Sequence, residues 1–342
     1  MSRGTAFVVG AMGQIGRAAV RALAEDGWEV RAASRGGGSD PGWPQGVRPL
    51  ALDRDEDGAL AAALGDGCDV LVDMVAYDGG HARQLAALAD RIGSAVVISS
   101  GAVYQDERGR SFDTQSEPDG SPRYPLPIPE SLATVAPGEE TYGTRKIALE
   151  QGLLGSALPS TLLRAGAVHG PYCRSPREVF FVKRALDRRP VRVLAYGGAS
   201  RFHPVHAANV AELIRLAALR PGSRVLNAGD PQAPTVAEIG AAIDEVLGVR
   251  AETVVFDGAP AEGTLGLTPW SAPHSIVYDM SAAGRELGYR PVTGYAESLP
   301  ATVGWIAQRL RDTTGWREAF PAMSKYPDLF DYAAEDAWLA AR

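Results

Sequence analysis

Short apolar runs alternate with helical patterns along the first half of this chain, and this alternation limits the possible fold more than any other feature. The runs that predict strands cover residues 5–10, 29–34, 47–52, 69–76, 95–99 and 161–164. Patterns typical of helices that cover a sheet lie between them, at 14–24, 56–64, 81–92 and 139–154. Strands that alternate with helices form a parallel sheet, so we expect a doubly wound α/β fold.

The chain is expected to divide at about residue 170. We assign residues 1–170 to the sheet domain and residues 171–342 mainly to a smaller substrate-binding region, with about 190–228 returning to the first domain. Residues 105–137 interrupt the alternation with six prolines. A loop of this length is functional or mobile, and we predict a flap near the site, with an inert surface insertion as the alternative. The tail 316–342 is too aromatic for a disordered end and is expected to dock.

Composition narrows the class of partner. A formal net charge of −7 and a pI near 5.4 argue against a broad nucleic-acid surface, and no apolar stretch is long enough to span a membrane. Cys68 and Cys173 have no CxxC partner, and the first residues have no leader pattern. We therefore expect a cytoplasmic protein whose partner is a small molecule.

A glycine motif follows the first predicted strand and opens the first predicted helix. Gly10 and Gly13 would permit a tight turn and close approach of the backbone to a pyrophosphate, while Gly16 would let the helix pack on the strand. The N–H groups at the start of the helix favour an anion. This context predicts a dinucleotide site in a Rossmann domain; a purely structural turn is the alternative.

The end of the second predicted strand bears on the choice of dinucleotide. An acid there would bind the adenosine ribose of NAD, but the residues are Ser34 and Arg35. Arg35 can pair with a 2′-phosphate and Ser34 can donate a hydroxyl, so we predict NADP as the preferred cofactor, with NAD possible. A solvated Arg35 is the alternative. Asp53 ends the third strand and either accepts a hydrogen bond from adenine or is simply a carboxylate at a strand end.

Three side chains with acid–base chemistry are expected to meet at one edge of the sheet. Tyr142 and Lys146 are four residues apart and so share a helix face, where an ammonium would lower the pKa of the phenol. Ser100 ends a buried strand at the carboxyl edge, where open α/β sheets bind ligands. Together the three could act on one C–O bond. An ordinary exposed helix pair and a turn serine are the alternatives.

With these motifs in place, the chain resembles extended short-chain dehydrogenases/reductases of the NAD-dependent epimerase/dehydratase family. The shared features occur in family order: the glycine motif, the strand that ends at Ser99-Ser100, and Tyr142xxxLys146xxxGlu150. Three further matches lie at 163–171, 204–211 and 287–291. The resemblance implies that Tyr142 is the acid/base, that Lys146 holds the nicotinamide ribose and that Ser100 orients the substrate. It also implies a homodimer built from the helices at 81–92 and 139–154.

Further residues are assigned to the two ligands within this framework. To the cofactor site we add Met12, Gln14, Ile15, Ala76, Ala165 and Val168, and to the substrate site Gly101, Tyr104, His169 and His203. The five histidines have no ligand spacing, so no metal is expected.

Departures from the family pattern affect the expected substrate and reaction. Ala165 stands where the family usually has Pro, His169 where it has Tyr, and Asn209 where Asp is common, which disfavours a nucleotide sugar. Gly101 and Ala102 replace the Asp-Glu pair of sugar dehydratases. We therefore predict ketone/alcohol oxidoreduction on a small metabolite, with an epimerase, or a catalytically silent NAD(P)-sensing protein, as alternatives.

Overall fold

The structure, a computed structural model, describes residues 2–261 and 264–341. Its strands are β1 Thr5–Val9, β2 Glu29–Ser34, β3 Arg48–Ala51, β4 Cys68–Asp73, β5 Ile92–Ser100, β6 Ser160–Ala165, β7 Ala167–His169, β8 Val191–Leu194, β9 Pro204–His206, β10 Arg224–Ala228 and β11 Glu252–Val255. Its α-helices are α1 Gln14–Glu25, α2 Ala59–Leu64, α3 Gly79–Ala86, α4 Tyr142–Leu154, α5 Val179–Leu186, α6 Ala207–Leu219, α7 Val236–Leu247, α8 Ser281–Leu287, α9 Tyr295–Arg311, α10 Trp316–Ala319 and α11 Tyr332–Ala340.

The first of two compact units contains a seven-stranded parallel sheet. The strand order is β10-β6-β5-β4-β1-β2-β3, and every neighbouring pair is parallel. The order reverses between β1 and β4, which creates the crevice where such sheets bind ligands. The predicted doubly wound fold of the Rossmann type is confirmed. This unit comprises Met1–Gly166, Ala207–Gly229 and Tyr278–Val292. The first returning segment thus begins at Ala207, where about residue 190 was expected, and the sequence did not indicate the second, Tyr278–Val292.

Apolar side chains on both faces of the sheet explain why these runs form buried parallel strands. Phe7, Leu71, Val97 and Leu162 are fully buried in one cluster with the helices. The predicted bounds of β2 match the structure, but the prediction of a helix over 81–92 is wrong in extent. α3 ends at Ala86, and β5 already begins at Ile92.

The Pro-rich insertion is anchored to the first unit at several points. Tyr124 is 8 % exposed and donates from its hydroxyl to the Tyr104 carbonyl at 2.9 Å. Ile128 is fully buried and accepts at its carbonyl from the side chain of Asn227 at 3.0 Å. Asp106, 4 % exposed, accepts from three backbone N–H groups of the insertion. In this structure residues 105–137 are a packed part of the unit and not a free flap.

The second unit consists of Ala167–His206, Asp230–Val277 and Thr293–Arg342. It contains two short parallel pairs, β8 with β11 and β7 with β9. Helices α5, α7 and α9 pack together around a core that includes Phe180, Ile239, Trp270, Leu299 and Ile306.

The aromatic C-terminal segment docks within this second unit. Trp316 and Phe320 are buried in its core. In α11, Glu335 is 2 % exposed, and its carboxylate accepts hydrogen bonds from both terminal guanidinium nitrogens of Arg184, at 2.9 and 2.7 Å. A buried ion pair of this kind is costly to break from one side, so it fixes the tail to α5.

Candidate functional site

The glycine motif forms a tight turn between β1 and α1. Gly10 has φ +85°, a conformation that favours glycine, and its N–H donates to the Ala33 carbonyl at 3.0 Å. A Cβ on Gly16 would lie 2.2 Å from the Gly10 carbonyl oxygen. Gly13 is the N-cap of α1, and no side chain of the described residues caps this helix. The turn thus leaves a cradle of backbone N–H groups that fits a pyrophosphate.

The remaining loop residues assigned to the cofactor surround this cradle. Gln14 and Ile15 are the first two residues of α1, and Met12 precedes its N-cap. The Met12 carbonyl accepts from Arg17 Nε at 3.1 Å, and Arg17 also pairs with Asp40. Met12 thus lies on the glycine turn, and Gln14 and Ile15 lie in the first turn of the helix that follows it.

The ends of β2 and β3 carry the three residues expected near the adenosine. Ser34 Oγ is buried and has no hydrogen-bond partner among the described residues. Arg35 is exposed, and no ion pair involving it is present in the described chain. Asp53 is half-buried and accepts from the Asp55 N–H at 3.2 Å. The orphaned Ser34 hydroxyl and the free guanidinium of Arg35 are therefore available to a polar ligand group.

Tyr142 is the first residue of α4, and it lies beside Ser100. A capping box at Thr141 starts the helix: the Thr141 hydroxyl oxygen accepts from the Thr144 N–H at 3.2 Å. The Tyr142 residue is 44 % exposed, yet burial is the largest influence on its hydroxyl and raises its pKa. A hydrogen bond with Ser100 acts in the opposite direction. The structure thus joins the predicted phenol and serine.

Lys146 is held below the sheet edge by two backbone carbonyls. Its Nζ donates to the Ala76 carbonyl at 2.7 Å and to the Ile98 carbonyl at 3.0 Å, and it lies 5.9 Å from the centre of the Tyr142 ring. Burial lowers its pKa to about 8, opposed chiefly by the charge of Asp73. The expected lowering of the Tyr142 pKa by Lys146 is not found in this arrangement, because burial dominates at the phenol and the ammonium is directed at the carbonyls.

Asp73 and Arg54 shape the floor of this lysine pocket, and the sequence analysis missed both. Asp73 ends β4, is fully buried, and forms an ion pair with Arg54. One Asp73 oxygen also accepts from the N–H groups of Val75 and Ala76, at 2.9 and 2.8 Å. Asp73 thereby orients the peptide that presents the Ala76 carbonyl to Lys146. The signal in the sequence was a carboxylate at the end of an otherwise apolar run.

A second aromatic ring accompanies Tyr142. The ring centres of Tyr77 and Tyr142 are 5.7 Å apart, and Lys146 Nζ lies 5.9 Å from the Tyr77 ring centre as well. The Arg145 guanidinium lies over the Tyr77 ring as well, 5.6 Å from its centre. Two phenols and two cations therefore share this corner of the first unit. No motif singled out Tyr77.

A buried triad holds the strand that carries Ser100. Ser99 donates to Glu150 at 2.5 Å, and Arg164 pairs with the same carboxylate at 2.7 Å. All three side chains are buried. Because Glu150 lies two turns after Tyr142 on α4, this network links α4 to β5 and β6. It gives the spacing Tyr142xxxLys146xxxGlu150 a structural meaning.

Two residues assigned to substrate lie in the core of the first unit. Tyr104 is fully buried, with Arg164 4.8 Å from its ring centre and its hydroxyl donating to Asn227 at 2.5 Å. Gly101 is buried so closely that a Cβ would lie 2.0 Å from the Tyr278 hydroxyl. Tyr104 therefore supports the site from behind and does not face it, since its ring and hydroxyl both have protein partners.

The two histidines assigned to substrate are buried in the second unit. His169 is 1 % exposed, and its Nε2 lies 2.7 Å from Asp230. His203 is 3 % exposed, and its Nε2 lies 2.8 Å from the Asp230 carbonyl. Their packing around Asp230 corrects the expectation that they are open to substrate. Burial lowers the pKa of His203, which favours a neutral ring.

Ala165 and Val168, which were also assigned to the cofactor, lie in different units. Ala165 ends β6 in the first unit, and Val168 lies in β7 of the second. Over residues 2–261 and 264–341, no group of three or more His, Cys, Asp or Glu side chains is arranged to hold a metal. Every helix in those same ranges is too short or too polar to cross a bilayer.

The glycine turn lies beside the reversal of strand order in a Rossmann-type sheet, and Ser100 ends β5 while Tyr142 and Lys146 lie on α4. Such a position in the sheet is that of a nucleotide-binding site. The chain belongs to the NAD dependent epimerase/dehydratase family, whose model matches residues 6–229. No curated protein has a detectable sequence match to this chain.

Solved structures share the fold at low sequence identity. The Bordetella bronchiseptica enzyme WbmH in complex with NAD+ is 18 % identical with a TM-score of 0.68, covering 91 % of this chain and 99 % of that one. UDP-N-acetylglucosamine 4-epimerase from Bacillus cereus is also 18 % identical with a TM-score of 0.68, over 89 % and 99 %. UDP-glucose-4-epimerase from Stenotrophomonas maltophila, with NAD and formylated UDP-arabinopyranose, is 20 % identical with a TM-score of 0.66, over 91 % and 100 %.

Proposed function

We propose that this protein interconverts a ketone and a secondary alcohol on a small metabolite, with Ser100, Tyr142 and Lys146 as the proton-transfer group. The observation that carries the proposal is the position of the Lys146 ammonium, which is buried, donates to the Ala76 and Ile98 carbonyls and lies 5.9 Å from the centre of the Tyr142 ring. Ser100, at the end of β5, acts on the Tyr142 hydroxyl. When bound, the nicotinamide supplies or accepts the hydride.

The chain's own groups divide the remaining work. In the reduction direction, the Tyr142 hydroxyl donates its proton to the substrate oxygen as that oxygen gains charge. The Ser100 hydroxyl orients the same oxygen, which is a role that a preorganised donor performs well in a dry site. Lys146, which the Ala76 and Ile98 carbonyls hold beside the Tyr142 ring, is the residue that we assign to hold the nicotinamide ribose. The raised pKa of Tyr142 suits a group that must arrive protonated.

NADP is the cofactor that we propose this protein prefers, within a family described by NAD. The buried, unpartnered Ser34 hydroxyl and the exposed Arg35 support this, because both can meet a 2′-phosphate that an acid would repel.

We also propose a homodimer through α3 and α4. Two free buried thiols, Cys68 and Cys173, support a cytoplasmic location.

An epimerase is the second candidate, and similarity in fold favours it, because two of the structures above are nucleotide-sugar 4-epimerases. An epimerase oxidises and reduces one carbon in turn and releases no reduced cofactor. A silent NAD(P)-binding protein would need only the glycine turn. The joint presence of Ser100 at the end of β5, Tyr142 at the start of α4 and the buried Lys146 supports an enzyme instead.

The test combines absorbance with product analysis. Purified protein with NADP+ or NAD+ is given secondary alcohols and nucleotide sugars, and the nicotinamide absorbance is followed while products are analysed by NMR. The proposal expects reduced cofactor in proportion to ketone, and a loss of about 10²–10⁴-fold in kcat for Tyr142→Phe, with cofactor affinity unchanged. Inverted sugar without an absorbance change would identify the epimerase. Tyr142→Phe retaining over about a tenth of the rate would remove Tyr142 from the mechanism.

A further inference from the structure

A cavity of about 270 Å³ lies in the second unit, where α5 and α7 end and β8 and β11 begin. Phe181, Val191 and Val249 give it an apolar part. Its most unusual feature is its charge, because five arginines line it: Arg184, Arg188, Arg189, Arg192 and Arg250.

Three of these guanidiniums are paired with carboxylates. Both terminal nitrogens of Arg184 donate to the Glu335 carboxylate. Arg189 lies 3.1 Å from the same carboxylate and also forms an ion pair with Asp336. Arg192 Nη1 lies 2.8 Å from Asp244. These pairs account for three positive charges and hold the walls of the cavity in place.

The other donors have no protein partner. Arg188 and Arg250 are exposed, and no carboxylate among the described residues pairs with either. The Nε atoms of Arg184 and Arg189 are buried and likewise have no acceptor within residues 2–261 and 264–341. Arg184 itself is 7 % exposed. The two exposed guanidiniums, those of Arg188 and Arg250, are therefore the ones open to an anionic ligand in this cavity.

Arg188 has a left-handed backbone conformation at the C-terminal end of α5. The residue has φ +57°, and the bonds Arg188 N–H to Ala185 and Arg189 N–H to Arg184, both 3.0 Å, form the C-terminal motif in which glycine normally occupies this position. Gly248, with φ +65°, does so at the end of α7. An arginine in the left-handed region is strained relative to glycine.

We propose that this cavity is a binding site for a small phosphate-bearing anion. Planar guanidiniums match phosphate oxygens in pairs, two charges remain to be neutralised, and the apolar part can take an uncharged portion of the ligand. The site goes beyond the proposed function, since none of its lining residues belongs to the dinucleotide cradle or to the proton-transfer group.

Inorganic pyrophosphate is the probe, titrated calorimetrically into protein saturated with NAD so that the glycine turn does not compete for it. Arg188→Gly and Arg250→Ala should each weaken pyrophosphate binding about tenfold, with NAD affinity unchanged. Arg311→Ala removes an equally exposed charge on α9, outside the cavity, and should have no effect. Wild-type binding should weaken as KCl is raised from about 0.05 to 0.5 M.

Arg188→Gly also separates a ligand role from a purely structural one. Glycine relieves the left-handed backbone, so this variant should fold and have an equal or higher Tm while it loses affinity. If Arg188 served only to complement the helix C-terminus, the variant would have a lower Tm and unchanged affinity, which would overturn the proposal. No pyrophosphate binding to the wild type, or citrate bound as tightly as pyrophosphate, would overturn the phosphate site as well.

Discussion

The pKa values of single side chains in this site depend on their burial and on neighbouring groups. Lys146 has an ordinary sequence position four residues after Tyr142, but burial against the Ala76 and Ile98 carbonyls lowers its pKa to about 8. Asp73 limits that fall by its negative charge. Tyr142 changes in the opposite sense, because burial disfavours its phenolate and raises its pKa. The acid and the ammonium of the site therefore lose their protons in different pH ranges.

The pH dependence of ketone reduction should report Lys146. Both Tyr142 and Lys146 must be protonated, and the lowered pKa belongs to Lys146, so activity should fall as the pH rises through about 8. In Lys146→Arg the cation persists, because guanidinium has a pKa above 12, and the normalised alkaline limb should move to higher pH. Lys183→Arg, on α5, is the control and should leave the profile unchanged. An alkaline limb that stays near pH 8 in Lys146→Arg would assign it to another group.

Arg35 should determine the choice between the two dinucleotides. We expect NADPH to bind more tightly than NADH, and Arg35→Ala to weaken NADPH by about tenfold while NADH changes little, since an exposed ion pair contributes modestly. Fluorescence titration of both cofactors measures this. Arg48→Ala, an equally exposed arginine at the start of β3, should change neither affinity. Equal binding of the two cofactors to the wild type would contradict the prediction.

Elements of the first unit are joined by buried polar contacts as well as by apolar packing. α4 begins at the Thr141 capping box, and the Thr141 hydroxyl also donates to Asp113 of the insertion at 2.6 Å. The insertion, α4 and the sheet are thus connected next to Tyr142. A segment with this many contacts contributes to stability as well as to the environment of the site.

Loss of one anchor of the insertion should destabilise the fold. Tyr124→Ala removes a side chain that is 8 % exposed together with its hydrogen bond, so the free energy of unfolding should fall by about 3 kcal/mol. Urea unfolding measures it. Glu117→Ala, exposed in the same segment, should stay within about 0.5 kcal/mol of the wild type. Unchanged stability in Tyr124→Ala, with a raised KM alone, would restore the interpretation of the segment as a mobile flap.

At the scale of the whole molecule, two units have cores of their own, and each is assembled from segments distant in sequence. The first unit presents α3 and α4 side by side, with Gly152 packed so closely that a Cβ would lie 2.7 Å from that of Ala82. Leu154, the last residue of α4, is 40 % exposed. An exposed leucine beside two tightly packed helices is compatible with the homodimer that we propose.

Sedimentation should detect a dimer at micromolar concentration. Leu154→Lys places a charge in the proposed interface, where burying it unpaired is costly, and should yield monomers. Leu186→Lys makes the same change at another leucine that is 40 % exposed, in the second unit, and should remain dimeric. A monomeric wild type, or a Leu154→Lys protein that is still dimeric, would exclude this interface.

The sequence by itself determined the features that depend on local spacing. Alternating apolar and helical patterns predicted the parallel sheet, and Gly10, Gly13 and Gly16 predicted the turn, because a strand, a glycine turn and a helix each have a signature within a few residues. Only the tertiary structure decided which polar side chains are buried from solvent. Contacts between residues far apart in the chain produce the burial of Lys146 beside β4 and β5. Such contacts also bury Tyr104 and His169 and anchor the insertion through Tyr124. The pKa and the hydrogen bonding of these side chains therefore depend on their burial and on the groups that they contact, and not on the residue type alone.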